Sequence, residues 1–305
     1  MSEDKSFLSE QNDKDLSDTS VLKALAEDYP QLYLDPDKDT QDTYKNVILR
    51  GSMPENKSLD HYAGDNFDRS EIVDTPAGKV RVVTLGSRKD FELVVRGLMA
   101  AKNGPSKEVP ASHGAGMFTV FNWPRINSHL EGFPEEERSA EFKRFTSVRE
   151  NYIDMLVVLS RGPYSNVDAR VAGCGEEEWL ELSDTIRRYH ELTHVICRRK
   201  YPEDIDAIRD ELVADAVGLL AAYGSFDPKM EKLFLGITDE EYTGGRLGNY
   251  TDEPEKISGE VCEALDRIKN IVDEKKRTEP FELIPELMKA GGNYQGNEKL
   301  CNTQI

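Results

Sequence analysis

Apolar residues fall in short alternating or continuous runs in the first half of the chain and recur at helical spacing in the second. Lys79 to Leu85, Met117 to Trp123 and Ile153 to Ser160 read as strands; the first alternates, and the third is a continuous β-leaning run closed by Arg161-Gly162-Pro163. Ser87 is placed to cap a helix over Arg88 to Asn103, where Phe91, Val94 or Val95, Leu98 and Met99 make one stripe before Gly104-Pro105 ends it. Pro134 and the glutamates after it open an acidic helix running to about Asn151. In the second half, helices are expected over Glu176 to Arg199, from Pro202 to a stop at Tyr223-Gly224, over Pro228 to Phe234, over Glu255 to Lys276 and, around Pro285, up to Ala290.

The remaining stretches are irregular. Residues 1 to 20 are polar and acidic, the pattern of a disordered tail. Val21 to Glu27 opens a helix that stops near Pro30, and from Leu32 to about Asp74 the chain is too rich in Asp, Asn, Gly and Pro to assign. Thr243 to Asn249 reads as a glycine-rich loop. The expected organisation is a tail over 1–20, an N-terminal α/β part over 21–175 that holds the sheet, and a helical part over 176–305, the last two forming one domain or two. The fold class is α+β, a small sheet packed on a mainly helical half.

Composition narrows the function. Fifty-eight acidic against 39 basic residues give a formal charge of −19, which repels a phosphate backbone and anionic membrane surfaces. Nucleic acid and membrane are therefore not expected partners, and no apolar stretch approaches the ~20 residues needed to span a bilayer. Cys174, Cys197, Cys262 and Cys301 are scattered, and the N-terminus lacks a basic and then apolar leader. A cytoplasmic protein with reduced thiols is the expectation.

The chemistry concentrates in one helix. His190-Glu191-Leu192-Thr193-His194 places two imidazoles four residues apart on one helical face, close enough to share a metal ion, and two neutral imidazoles suit zinc. Glu191 points about a quarter-turn away, where it can accept a proton from a water that the ion activates. On the next helix Asp204, Glu211 and Asp215 line one flank and can supply a third ligand. The plain alternative is an ordinary helix pair with coincident histidines, in which Glu191 pairs with Arg187 and Arg188.

His190-Glu191-Leu192-Thr193-His194 followed by Glu211-Leu212-Val213-Ala214-Asp215 resembles the gluzincin zinc metallopeptidases, whose pattern is H-E-x-x-H and a later E-x-x-x-D. The resemblance covers about 30 residues, from Arg187 to Gly218. It implies Zn2+ held by His190, His194 and Glu211, with Glu191 as general base and Asp215 as the carboxylate that orients a ligand histidine. Only sixteen residues separate His194 from Glu211, which keeps Asp215 open as a rival third ligand, with Asp204 more remote. The implied activity is hydrolysis of a peptide bond in a peptide or protein substrate. The second reading is a zincin-like peptide- or partner-binding protein with a non-catalytic or sensing metal, and the third a helical interaction protein without metal. His113, in the small-residue loop before the second strand, and Tyr164 are candidate substrate contacts; with Tyr189 and Tyr223 they are also the candidate donors to a developing oxyanion. The Ile153 strand is where such peptidases place a sheet edge for an extended substrate.

Overall fold

The computed structural model describes residues 19–111, 113–202, 206–275 and 278–292. Residues 1–18 of the expected tail lie outside these, as do Asp204, Ile205, Lys276 and Cys301. The N-terminal part comprises α1 (Ser20–Asp28), α2 (Gln41–Arg50), β1 (Arg69–Thr75), β2 (Gly78–Leu85), α3 (Arg88–Asn103), β3 (Ala115–Phe121), α4 (Trp123–Glu131), α5 (Glu135–Phe145) and β4 (Ile153–Ser160). After it come α6 (Ala169–Ala172), α7 (Glu176–Lys200), α8 (Ala207–Tyr223), α9 (Pro228–Leu235), the short pair β5 (Ile237–Thr238) and β6 (Glu241–Tyr242), α10 (Pro254–Glu274) and α11 (Ile284–Ala290). The chain is a mixed α+β protein with a four-stranded sheet in its first half. Among the described residues no helix is long and apolar enough to cross a membrane.

The sheet has the order β1-β2-β4-β3. β2 and β4 lie parallel at its centre, with β1 antiparallel on β2 and β3 antiparallel on β4. The centre is covered on both faces, which explains the continuous apolar run at Ile153 to Ser160. On one face Val83, Leu85, Leu156 and Val158 pack with Phe91, Val94 and Val95 of α3 and with α1. On the other, Val80, Val82, Val157 and Leu159 receive Leu192 and Val195 of α7. Burying each of those two α7 side chains contributes about 1.5–3 kcal/mol, so the metal-motif helix is seated directly on the sheet. β4 is internal and offers no free edge, contrary to its expected role; the outer strand on that side is β3, and among the described residues no further backbone group bonds to it.

Several assignments differ from the sequence reading for local reasons. Part of the unassigned stretch forms α2, capped by Thr40 and closed by left-handed Gly51, and β1, which pairs along its whole length with β2. Pro124 does not merely end a strand: it occupies the first turn of α4, where its missing N–H costs nothing, with the Asn122 side chain as cap. The acidic helix ends at Phe145, six residues early. α8 starts at Ala207, where the Asp206 side chain accepts from the Arg209 N–H, and not at Pro202.

Candidate metal centre

α7 carries three glutamates in its first turn and Arg198, Arg199 and Lys200 in its last, matching the helix dipole at both ends. Its first half is tied to the loop after β4. Buried Arg187 donates to the carbonyls of Ser160 (2.9 Å), Gly162 and Pro163 (3.2 Å each), and the Trp179 indole donates to Val167 O at 2.7 Å. Burial works against the Arg187 charge and lowers its pKa. α8 crosses α7 closely because position 218 is glycine: a Cβ there would lie 2.7 Å from the Ile186 carbonyl oxygen.

That crossing brings His190, His194 and Glu211 together, each about 6 % exposed. The two Nε2 atoms face each other at 3.0 Å, and each is 3.5 Å from a Glu211 carboxylate oxygen. A tetrahedral ion with bonds of about 2.0–2.1 Å sets its ligand atoms about 3.3 Å apart, so these spacings fit one shared ion. Behind the ligands, His190 Nδ1 donates to Asp215 Oδ1 at 2.6 Å, and His194 Nδ1 donates to Asp210 Oδ2 at 2.8 Å. With both Nδ1 atoms donating outward, the two Nε2 atoms are left facing one space, where they can share a proton or a metal ion. Burial opposes protonation of His194, but the Asp210 and Glu211 charges outweigh it and raise its pKa to about 10.

A third layer surrounds these groups. Tyr164 Oη donates to Asp215 and accepts from Arg246 Nη1 at 2.9 Å, while Arg246 also pairs with Asp215. The Tyr250 hydroxyl donates to Glu211 at 2.8 Å. Burial pushes the phenols of Tyr164 and Tyr250 well up, which keeps them as donors. Burial disfavours the Asp215 charge, yet Arg246 and His190 hold its carboxyl well below the usual range. Glu231 on α9 is fully buried beside Asp215; burial and that neighbouring charge drive it well up, and among the described residues no donor reaches either of its oxygens. A proton kept on Glu231 and donated to Asp215 gives one of those oxygens a partner. Asp210, Glu211 and Asp215 then stand as three buried carboxylates around the Arg246 guanidinium and His194, an excess of negative charge that favours a cation.

Of the residues expected from sequence, His190, His194, Glu211 and Asp215 converge, Glu211 on the Nε2 side and Asp215 on the Nδ1 side of His190. Asp204 lies outside the described residues. Glu191 is half-buried and, among the described residues, forms no ion pair or hydrogen bond: Arg188 pairs instead with Glu71 at 2.8 Å, and Arg187 is occupied by carbonyls. His113, just before β3, sits within Coulombic reach of Glu191; burial and Arg88 lower its pKa, and its buried Nδ1 has no hydrogen-bond partner among the described residues. Tyr164 is placed behind His190 with Asp215 and Arg246. Sequence reasoning missed Asp210, Glu231, Arg246 and Tyr250. Only Asp210 carried a signal, since two ligand histidines require two acceptors and Asp215 can serve one.

No curated protein and no solved structure matches the chain. A family profile matches residues 3–283, nearly the whole chain. The chain therefore belongs to the family of unknown function DUF7005.

Proposed function

We propose that this protein is a zinc-dependent metallopeptidase of gluzincin type, with His190, His194 and Glu211 as metal ligands and Glu191 as general base. The observation that carries the reading is the pairing of a buried His-His-Glu set, its histidines oriented by Asp215 and Asp210, with an unpaired carboxylate one residue from the first ligand. Two imidazoles and a carboxylate suit zinc best among common divalent ions. When bound, zinc lowers the pKa of a water towards neutrality and polarises a carbonyl. Glu191 takes the proton of the attacking water and passes it to the leaving amine. His113, half-buried just before β3 and with a lowered pKa, is the candidate to meet a substrate carbonyl, and the outer edge of β3 can pair with an extended peptide.

The test is zinc content together with cleavage of a mixed peptide library followed by mass spectrometry. Wild type should carry stoichiometric zinc and cleave; Glu191→Gln should keep the zinc and lose turnover by a factor of about 10²–10⁴. A Glu191→Gln chain as active as wild type removes the role given to Glu191. One observation favours the second reading, a partner-binding protein with a structural or sensing metal: the three ligands are each only about 6 % exposed. A zinc-loaded wild type that cleaves nothing in the library decides for it.

A further inference from the structure

Beyond the metal centre, a groove of about 870 Å³ runs between the last turn of α7 and the outer strand β3. Met117, Ile153 and Met155 form part of its floor, and it continues around the edge of β3 to Phe118, Leu98 and Met99. Methionines make such a floor adaptable to differently shaped apolar side chains. The polar walls are one-sided: Lys102, Arg149, Arg198, Arg199 and Lys200 face a single acid, Glu150. Among the described residues Lys102, Arg149 and Lys200 form no ion pair, and Arg199 is engaged only by the Ala77 carbonyl at 2.7 Å. On a chain of net charge −19 this is a local reversal of sign. It attracts an anionic ligand to one place while the rest of the surface repels it. A nucleic acid would gain little from the apolar floor and would meet that repulsion along its length.

The groove's position gives it a relation to Glu191. Along α7, Arg198 lies about 10 Å beyond Glu191 at 1.5 Å per residue. Along β3, Thr119 lies about 13 Å beyond Ala115 at 3.3 Å per residue. We propose that the groove binds an acidic peptide segment with apolar side chains, laid along the outer edge of β3, and thereby selects substrates with an acidic residue about three to four positions from the bond facing Glu191. The spacing from the cleaved bond rests on the peptidase reading; the binding itself does not.

The experiment measures binding apart from turnover. Fluorescence anisotropy of the full-length Glu191→Gln chain is recorded with a fluorescein-labelled peptide of Leu, Glu and Asp and with its counterpart carrying Gln and Asn. The acidic peptide should bind at least about tenfold more tightly, an advantage that shrinks as salt rises. Lys102→Glu, Arg149→Glu and Lys200→Glu combined should abolish the preference while circular dichroism and zinc content stay unchanged. Equal binding of the two peptides, a preference that survives the triple substitution, or tighter binding of a single-stranded oligonucleotide of equal charge would overturn the proposal. Acid-selective binding with no cleavage by wild type keeps the groove and discards the peptidase reading; cleavage without acid preference does the reverse.

Discussion

Asp210→Asn tests the centre at the point sequence reasoning did not reach. Asp210 is 5 % exposed, and among the described residues the nitrogen that its side chain bonds is His194 Nδ1 at 2.8 Å. The amide can still accept that hydrogen bond, so the ring keeps its orientation, but the negative charge behind it is gone. Losing such an outer partner typically lowers metal affinity by a factor of about 10–100. One effect works the other way: burial opposes a proton on His194 in the metal-free chain, Asp210 is the leading charge that holds it there, and without Asp210 a metal has less proton to displace. The net loss should therefore sit near the lower end, about tenfold, or about 1.4 kcal/mol. Competition against a chromophoric zinc chelator at fixed pH measures it, with urea unfolding to confirm that the variant is folded. An affinity within twofold of wild type would mean that His194 is not a ligand through Nε2, and the proposed donor set would fall.

Glu211→Gln and His194→Ala should each co-purify with less than stoichiometric zinc by elemental analysis, whereas Asp215→Asn should retain it at reduced affinity; full occupancy in Glu211→Gln would reopen Asp215 as third ligand. Glu231→Gln should be more stable than wild type at neutral pH, because the raised pKa keeps Glu231 protonated when folded while the unfolded chain releases that proton. The gain should vanish as pH falls below the ordinary glutamate range, and urea midpoints against pH report it; a variant less stable at pH 7 contradicts a proton held on Glu231. Gly218→Ala should cost about 1–3 kcal/mol and weaken zinc binding together, since its methyl would press on the Ile186 backbone at the crossing of α7 and α8; normal stability by thermal unfolding would refute the close crossing.

What could be read from sequence was what is local in sequence. Five consecutive residues fix His190, Glu191 and His194, and one helical turn separates Glu211 from Asp215, so periodicity alone orders them. Of the central strands, β4 was legible because burial on both faces makes it an apolar run, and β2 because Val80 and Val82 alternate with Lys79 and Arg81 before Val83 and Leu85. β1 was not: its residues alternate between exposed and half-buried, and only its register with β2 makes it a strand. Arg246 was hidden for the opposite reason. It lies in a glycine-rich stretch read as loop, yet the short helical turn at Arg246–Asn249 carries it to Asp215 and Tyr164, far away in sequence.

The groups around Glu211 are contributed by four separate pieces of backbone: the turn at Tyr164, α7, α8 and the Arg246 to Tyr250 segment. A divalent ion seated there fastens pieces spread over more than eighty positions into one unit, much as a cross-link would, and its affinity is thereby spent partly on cohesion. Chelation should on this account loosen the molecule from residue 164 to residue 250 as a block.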